Sequence, residues 1–465
     1  MLSEDAFSEW YNAVIEKAAL CDKRYPVKGM NVWTPYGWRI MTGVDALIRR
    51  EMDATGHEEV MFPMLIPATE FEKEAQHIKG FSSEVYWVTR AGDNPLAIPL
   101  LLRPTSEAAM YPLFKLWIRS HADLPLKVFQ IVNTFRYETK MTRSFIRVRE
   151  IHFFEAHTCH ASFEDAEAQI QEDLEIWKRI ANDLSLPYLT TKRPDWDKFA
   201  GAHYTISFDV LMPTGRTLQL ASVHQYMENF ARAFDIKYEG EDGGHRFVHQ
   251  TTYGMSERIL GALIGVHGDG KGLRLPPSIA PVQVVIVPIP AKGAQERVNE
   301  SCTALLEELK AAGLRAHLDL RDLRPGNKFY DWESKGVPLR AEVGPKDLKK
   351  GTVVLVRRDT GEKVTVDRAG VVQQVRHLLS AVASGLLSEA ETKLRAGIFE
   401  IESLDAVPQG VLRFKWCMRD ECGREAEERS GFNILGTLPE CERAEGTCAV
   451  CGTDAKTYLY AARSY

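Results

Sequence analysis

The chain has 465 residues, of which 45% are hydrophobic and 26% charged, and its formal net charge is −6 at pH 7. This length exceeds what one hydrophobic core supports, so two or three domains are expected. No apolar run reaches the roughly 20 residues of a membrane helix, and the start MLSEDAFSEWYNAVIEKA reads as an acidic amphipathic helix, not a targeting peptide. These features favour a cytoplasmic protein with no membrane partner, and the negative charge leaves any RNA binding to local basic patches.

The first segment with chemical character is LLRPTSEAAMYPL at 101–113. Thr105, Ser106 and Glu107 are typical of a helix start, in which a hydroxyl caps the helix and an acid lies in its first turn. Capping alone would explain Thr105 and Glu107, so this segment by itself predicts a helix and no site.

The stretch 133–159 carries the strongest signal, a hairpin whose strands alternate at period two. One face is predicted to carry Val132, Thr134, Arg136 and Glu138 on the first strand, and Phe145, Arg147, Arg149, Ile151, Phe153, Glu155 and His157 on the second. Burying unpaired charges costs on the order of several kcal/mol each, so we expect this face to line a polar cavity. Arginines at this spacing suit a polyphosphate, because guanidinium groups bind phosphate oxygens bidentately. The alternative is an exposed, salt-bridged hairpin.

A helix and a strand are predicted next. Ser162 with Asp165 indicates a capped helix that runs to Leu184. In the segment 215–234, Thr217–Ala221 predicts a strand from which Gln219 projects.

Beyond that strand, Ser222 with Gln225 predicts a capping box, so Ser222 and His224 are expected at a helix N-terminus, where anionic ligands bind. A purely structural cap at Ser222 and a core histidine at His224 remain open alternatives.

The segment YGMSERILGALIGVHGD at 253–269 predicts an apolar helix opened by Glu257 and Arg258. Glycine inside a helix costs roughly 1 kcal/mol relative to alanine. Gly261 and Gly265 therefore indicate close packing against a sheet or ligand, and Arg258 adds to the arginines predicted around the cavity.

Three prolines within 275–281 indicate a domain boundary, after which a small α/β unit is predicted. Its strands are 282–289, 314–320 and 352–358, with a helix that ends at Gly313. Residues 311–360 carry 11 Lys+Arg against 7 Asp+Glu. Aromatic residues lie among these basic residues, a pattern that favours nucleic-acid contact.

Five of the eight cysteines lie between Cys417 and Cys451. The pairs Cys417/Cys422 and Cys448/Cys451 have zinc-site spacing, so we expect a structural four-thiolate Zn²⁺ site. Cys441 is then a spare, although it could replace one ligand. A catalytic zinc site at His157, Cys159 and His160 is disfavoured, because no fourth ligand suggests itself.

Together these segments resemble the class II aminoacyl-tRNA synthetases, specifically prolyl-tRNA synthetases of the archaeal and eukaryotic type. EEVMFPML, with Pro63, is similar to motif 1, the dimer-interface element; FRYE and the second strand resemble motif 2, and GMSER to GD resembles motif 3. RPTSE and the EAHT of 155–158 point to proline among class II substrates. The family's GGTSHxLGQNF stands here as LASVHQYMENF, and Ile151 replaces a frequent phenylalanine.

The resemblance implies an α+β catalytic domain built on an antiparallel sheet, an α/β anticodon-binding domain and a small C-terminal zinc-binding α+β domain. We expect them at residues 1–278, 279–384 and 385–465. The implied activity is ATP-dependent ligation of L-proline to tRNA(Pro) through prolyl-adenylate, with Mg²⁺ bridging the phosphates. The implied assembly is a homodimer. Only 111 residues separate Arg147 from Arg258, too few for an inserted editing domain.

The resemblance also implies roles for individual residues. Arg136 and Arg258 are the expected catalytic residues. The expected ATP-binding residues are Arg136, Glu138, Arg147, Val148, Gln219, Ser222, Ser256 and Arg258. The expected proline-binding residues are Thr105, Glu107, Arg136, Phe81, Phe153, Glu155, His157 and His224. The expected anticodon-reading residues are Lys328, Arg340, Glu342 and Lys346, although Arg340 and Glu342 could simply pair with each other.

Two alternatives stay open at this point. One is a class II synthetase for another small amino acid, such as threonine or serine. The other is a catalytically silent tRNA-binding homologue, although RNA binding alone does not require three arginines suited to a triphosphate. The family also suggests that Tyr465 can approach the active site.

Overall fold

The computed structural model describes residues 1–75, 84–139, 141–290 and 293–465. Phe81, which the sequence predicts as part of the proline site, lies outside the described residues. Among those described, no helix is both long and apolar enough to cross a membrane.

The first 278 residues contain both helices and short strands. The helices are α1 (Glu4–Lys17), α2 (Pro35–Ala54), α3 (Ala68–Ala75), α4 (Glu107–Trp117), α5 (Phe163–Asp183), α6 (Asn229–Phe234) and α7 (Arg258–His267). The strands are β1 (Cys21–Asp22), β2 (Val32–Trp33), β3 (Glu58–Glu59), β4 (Leu65–Pro67), β5 (Trp87–Ala91), β6 (Asn94–Leu102), β7 (Leu126–Phe135), β8 (Glu150–His160), β9 (Leu189–Lys192), β10 (Tyr204–Leu211), β11 (Thr217–Met227), β12 (Lys237–Glu239), β13 (His245–Phe247) and β14 (His249–Ser256).

A seven-stranded sheet in the order β3-β7-β8-β14-β11-β10-β9 is the centre of this part. All its pairs are antiparallel except β3 with β7, so the predicted antiparallel sheet is confirmed. Side chains alternate across strand β8: Phe154 is buried in the main hydrophobic core, which includes Trp177 of helix α5. Phe153 and Glu155 point to the opposite face, which is left free for chemistry.

The period-two reading of the second hairpin strand is wrong at its start. Strand β8 begins only at Glu150, and the residues before it form a turn in which Phe145 has φ +62°. The Phe145 ring is fully buried, 4.8 Å from the Trp33 ring, so it packs in the core. Arg149 donates hydrogen bonds of 3.0 and 3.1 Å to the Glu138 carbonyl and does not line the cavity. The alternation holds from Ile151 onward.

The predicted helix at Ser222 is also wrong, because strand β11 continues to Met227. This stretch pairs with β14 on one side and β10 on the other, so ladder hydrogen bonds satisfy its backbone. Ser222 bonds through its hydroxyl to His224 Nε2 at 3.0 Å and caps nothing. The next helix, α6, starts only at Asn229. No helix N-terminus therefore faces the ligand at Ser222 or His224.

Helix α7 begins at Arg258 as predicted, with Gly261 on its packed side. A Cβ at Gly261 would stand 2.7 Å from the Phe145 carbonyl oxygen. Glycine here allows the helix to lie directly against the turn before β8, which fixes Arg258 close to Arg147.

Residues 279–465 form two further sheets. One has the mixed order β16-β15-β17-β18-β19 and the other the order β20-β21-β23-β22. Their strands are β15 (Val284–Pro288), β16 (Ala316–Leu318), β17 (Leu339–Val343), β18 (Thr352–Arg357), β19 (Lys363–Asp367), β20 (Ile398–Glu400), β21 (Val411–Trp416), β22 (Asn433–Gly436) and β23 (Thr457–Ala462). Their helices are α8 (Gln295–Ala311), α9 (Pro325–Ser334), α10 (Pro345–Lys350), α11 (Val371–Ala396) and α12 (Asp420–Ser430).

The proline-rich connection at 275–281 is buried against both neighbouring parts. Leu275 is 1% exposed and its N–H donates to the Gly336 carbonyl. The Arg315 guanidinium donates to the carbonyls of Pro277, Ser278 and Ala280. The connection is therefore a rigid junction. The single helix α11 runs through the predicted boundary at 384/385. The domain limits at 278/279 and 384/385 both stay predictions.

Buried histidines make stability depend on pH, among them His57, His160 and His267. Burial, helped by Lys127, lowers the pKa of His57 to about 3 and that of His160 to about 4. Burial likewise lowers the pKa of His267 to about 4. Above pH 6.5 these groups are neutral in both folded and unfolded chains and contribute no pH dependence. As pH falls below 6.5, only the unfolded chain gains protons, so stability is lost towards pH 4.

We therefore expect His160→Gln to reduce the loss of unfolding free energy between pH 7 and pH 5. The variant should lose up to about 2 kcal/mol less than the original chain, measured by urea unfolding at both pH values. The exposed His245→Gln is the matched control and should leave the difference unchanged. Equal pH dependence in all three proteins would contradict this assignment.

Candidate active site

A cavity of about 750 Å³ opens on the face of the central sheet that helix α5 leaves free. Strands β8, β11 and β14 form its floor, and the turn before β8 and the start of α7 form its sides. The structure brings thirteen of the predicted site residues together here. They are Thr105, Glu107, Arg136, Glu138, Arg147, Val148, Phe153, Glu155, Gln219, Ser222, His224, Ser256 and Arg258.

Three guanidinium groups share one part of the cavity. Arg147 donates to Glu138 at 2.9 Å, and Arg258 donates to the Ile146 carbonyl at 2.9 Å. Burial, followed by the charges of Arg136 and Arg147, lowers the pKa of Arg258 to about 10. Burial also lowers the pKa of Arg136, although nearby carboxylates oppose this. The part is therefore electropositive and partly desolvated, which suits a polyanion.

A second part of the cavity is acidic. Thr105 donates a hydrogen bond to one Glu107 oxygen, and the Tyr226 hydroxyl donates to the other at 3.1 Å. The predicted hydroxyl cap at the start of α4 is therefore absent: the helix begins at Glu107 as expected, but neither Thr105 nor Ser106 caps it. Instead, Ser106 donates to Glu155.

Glu155 is the second carboxylate of this part and is 1% exposed. Burial opposes its ionisation, but hydrogen bonds from His157, Ser106 and Gln130 together hold its pKa below the usual value. The His157 ring lies behind it, with Nε2 3.2 Å from the carboxylate and no surface on the cavity. His157 can therefore support Glu155 but does not itself wall the ligand.

The aromatic wall beside the carboxylates contains Phe153 and, unpredicted, Phe199 and Tyr226. His224 lies between them, 4.9 Å from the Phe199 ring, with Thr205 Oγ1 2.9 Å from its Nδ1. Burial, with the nearby His157, lowers the pKa of His224 to about 3, so the ring is neutral at pH 7. The acidic part of the cavity therefore suits a small ligand that has a positive charge and an apolar surface, and it disfavours an anion.

Arg193 is the main polar residue of the cavity that sequence reasoning missed. It follows strand β9 and donates to Ser207 at 2.9 Å and to the buried Asp209 at 3.2 Å. Its Nη2 is also 3.5 Å from the Gln219 Oε1, so it supports the strand that carries Gln219. The basic pair Lys192–Arg193 before a proline gave no pattern from which this position could be found.

Residues near the C-terminus complete the cavity wall. Asn433, Ser464 and Tyr465 line it. The Tyr465 hydroxyl bonds to Thr214 Oγ1 at 2.8 Å, and its N–H donates to the Thr217 carbonyl at 3.1 Å. The C-terminal sheet is therefore joined to strand β11 and reaches the catalytic part.

The four predicted anticodon residues lie in the mixed sheet and its helices, with unequal access. Lys328 is buried and donates to the Asp319 carbonyl at 2.9 Å, whereas Lys346 is exposed. Arg340 donates to both Glu342 and Glu333, so the pairing considered as an alternative is present. Whether these residues read bases stays a prediction.

The predicted thiolates converge as their spacing indicates. The sulfur atoms of Cys417, Cys422, Cys448 and Cys451 all lie within 4.8 Å of one another. Cys441 is outside this group, and its thiol donates to Thr457 Oγ1 at 3.6 Å. Four soft ligands around one point, with no fifth position, suit a structural Zn²⁺ ion.

The sheet, with three arginines above its free face, is the core of a class II aminoacyl-tRNA synthetase. The family model described as the tRNA synthetase class II core domain (G, H, P, S and T) matches residues 86–267. The anticodon binding domain model matches 283–378, and the model named prolyl-tRNA synthetase, C-terminal, matches 402–465.

Curated relatives narrow this class to one family. The proline–tRNA ligases of Thermococcus kodakarensis and Pyrococcus abyssi are 54% and 55% identical to the chain over 470 residues. Each comparison covers 99% of this chain and 98% of the relative. The solved Giardia lamblia prolyl-tRNA synthetase in complex with prolyl-adenylate is 36% identical, with a TM-score of 0.96 over 100% of this chain and 99% of that chain. The chain belongs to the prolyl-tRNA synthetase family.

Proposed function

We propose that the chain activates L-proline with ATP and transfers it to tRNA(Pro). The supporting observation is a single cavity in which an arginine-rich part adjoins an acidic, aromatic part. The first part fits a triphosphate. The acidic, aromatic part fits the secondary ammonium group and the apolar ring of proline. Proline can be recognised only by its shape and by this one positive charge.

In the first step the proline carboxylate attacks the α-phosphorus of ATP and pyrophosphate leaves. Arg136, between the two parts, would hold the α-phosphate and the carboxylate, while Arg258 would hold the outer phosphates. The remaining proposed nucleotide contacts are Glu138, Arg147, Val148, Gln219, Ser222 and Ser256. Mg²⁺ would enter with the phosphates and offset their charge; the carboxylates of Glu138 and Glu257 on the cavity wall fit such an ion.

For proline, we assign the imino group to Thr105 and Glu107, with Glu155 as the second carboxylate. Phe153 and His224 would line the pocket for the proline ring, and His157 would support Glu155 from behind.

In the second step, the terminal ribose hydroxyl of the tRNA attacks the activated carbonyl and AMP leaves. Both steps rest on positioning and electrostatics and need no protein nucleophile. Lys328, Arg340, Glu342 and Lys346 are proposed to face the anticodon, and Zn²⁺ to bind the four thiolates.

The test is ATP–pyrophosphate exchange with each amino acid, with and without tRNA. Only proline is expected to support rapid exchange. Exchange with threonine or serine instead would indicate another class II specificity, and failure with every amino acid would indicate a silent tRNA-binding homologue.

In the same preparation, alanyl-tRNA should not be deacylated, since the family models match no editing domain in this chain. Cytoplasmic location remains part of this proposal.

A homodimer is proposed from residues 61–65, at the start of strand β4. Met61 is 87% exposed, and Met64 and Leu65 are 42% and 40% exposed, so three large apolar side chains are accessible within five residues. We expect Met61→Lys to shift the protein from dimer to monomer at micromolar concentration, measured by light scattering after size exclusion. Met141→Lys, at a methionine 83% exposed elsewhere, is the control and should remain dimeric. A dimeric Met61→Lys protein would contradict this interface.

A further inference from the structure

Gln130 lies beneath the acidic part of the cavity and is fully buried. It sits on strand β7 directly opposite Glu155 on β8. Its Nε2 donates to the Glu155 Oε1 at 3.1 Å and to the Ser106 Oγ at 2.9 Å. Gln130 does not line the cavity, so it can influence a ligand only through these neighbours.

The orientation of the Gln130 amide is fixed by its third hydrogen bond. The Phe62 N–H donates to the Gln130 Oε1 at 3.0 Å. A flipped amide would place its oxygen against the Glu155 carboxylate and its NH₂ group against the Phe62 N–H, leaving both of these partners unmatched. The backbone N–H of Phe62, in the segment before β4, thus keeps the Nε2 of Gln130 directed at Glu155.

Glu155 depends on such donors because it is nearly inaccessible to water. Its Oε1 accepts from Ser106 and Gln130, and its Oε2 lies 3.2 Å from His157 Nε2. Hydrogen bonds to the charged form keep a buried carboxylate ionised and fix its rotation. Removing one of these donors would leave a buried charge less satisfied in the place where the proline ammonium is proposed to bind.

We propose that Gln130 is a positioning residue for proline recognition, which orients Glu155 and maintains its negative charge. This inference rests on the proposed role of Glu155 in the proline site. It gives Gln130 no part in holding ATP, because its hydrogen bonds go to Phe62, Ser106 and Glu155 and to none of the three cavity arginines.

Two variants separate the donor of Gln130 from its acceptor. Gln130→Glu retains an oxygen for the Phe62 N–H but replaces the NH₂ group with a second carboxyl, which competes with Glu155 for a single negative charge. Gln130→Met removes both at similar volume. In pyrophosphate exchange, both should raise the KM for proline by about tenfold or more, while the KM for ATP stays within about twofold.

Gln250→Met is the matched control. Gln250 is equally buried in the same sheet, but its amide donates to Cys159 Sγ, at 3.6 Å, and it neither lines the cavity nor contacts Glu155 by a hydrogen bond. This variant should leave both KM values unchanged. An unchanged KM for proline in Gln130→Met, or a parallel rise of both KM values in the Gln130 variants, would overturn the proposal. If the added charge prevents folding, as judged by thermal melting, Gln130→Met alone decides.

Glu155→Gln in the same assay separates this inference from its premise. If Glu155→Gln leaves the KM for proline unchanged, the proposed role of Glu155 fails and the inference fails with it. If Glu155→Gln raises that KM but the Gln130 variants do not, only the inference about Gln130 is overturned.

Discussion

Replacing Arg258 by methionine is expected to lower kcat/KM for adenylate formation about a thousandfold, while the empty protein loses little stability. The activity loss follows because the guanidinium group is proposed to hold the phosphates as charge develops on them, a contribution typical of such contacts. Stability is preserved because burial and the charges of Arg136 and Arg147 disfavour this cation in the empty cavity. The relief of repulsion offsets the lost hydrogen bonds to the carbonyls of Ile146 and Gln219.

Arg274→Met is the matched control with the opposite signature. Arg274 is also nearly buried, but it donates to both Glu389 oxygens, at 2.7 and 2.9 Å, away from the cavity. Its loss should lower the melting temperature and leave the KM for ATP unchanged, since it removes the hydrogen bond to the His267 carbonyl and one of the two cations paired with Glu389, the other being Lys393. Pyrophosphate exchange and thermal melting give the two readouts. A loss below about tenfold in Arg258→Met would refute the assigned role.

Replacing Cys422 by serine is expected to remove the metal and to reduce aminoacylation at least about tenfold, although this residue is not in the active site. The four thiolates join helix α12 to the segments that follow β21 and precede β23, and a structural zinc site supplies folding free energy directly. The same sheet carries Asn433, and the segment after β23 carries Ser464 and Tyr465 into the cavity wall. Loss of the metal should therefore loosen part of the catalytic cavity.

Cys441→Ser tests the same domain without touching the cluster. Metal content should stay near one ion per chain in this control and fall close to zero in Cys422→Ser, measured by elemental analysis. The melting temperature and the rate of pyrophosphate exchange should fall in Cys422→Ser and stay unchanged in Cys441→Ser. A metal-free Cys422→Ser protein with full activity would show that the C-terminal sheet does not support the cavity.

The sequence allowed cavity residues to be predicted where a local period or spacing was sufficient. Alternation along β8 identified Phe153 and Glu155 on one face, and cysteine spacing identified the thiolate cluster. Many roles came from resemblance to a family and not from physical reasoning.

The errors arose where tertiary pairing overrode local preference. Ser222 and Gln225 form a good capping pattern, but neighbouring strands on both sides satisfied their backbone as strand. Arg149 follows the period of the strand, yet it precedes the strand itself and turns away. Arg193 and Gln130 acquire their partners only when distant strands meet, so no local pattern could indicate them.

The rigid junction at 275–281 has a consequence for the length of the RNA. Arg315 binds three carbonyls of the junction, and Arg358 of the mixed-sheet part pairs with Asp269 beside helix α7 at 2.7 Å. The distance between the cavity and the mixed sheet is therefore fixed by the protein. A substrate that contacts both must match that span, and an RNA shortened by a few base pairs cannot reach both ends at once.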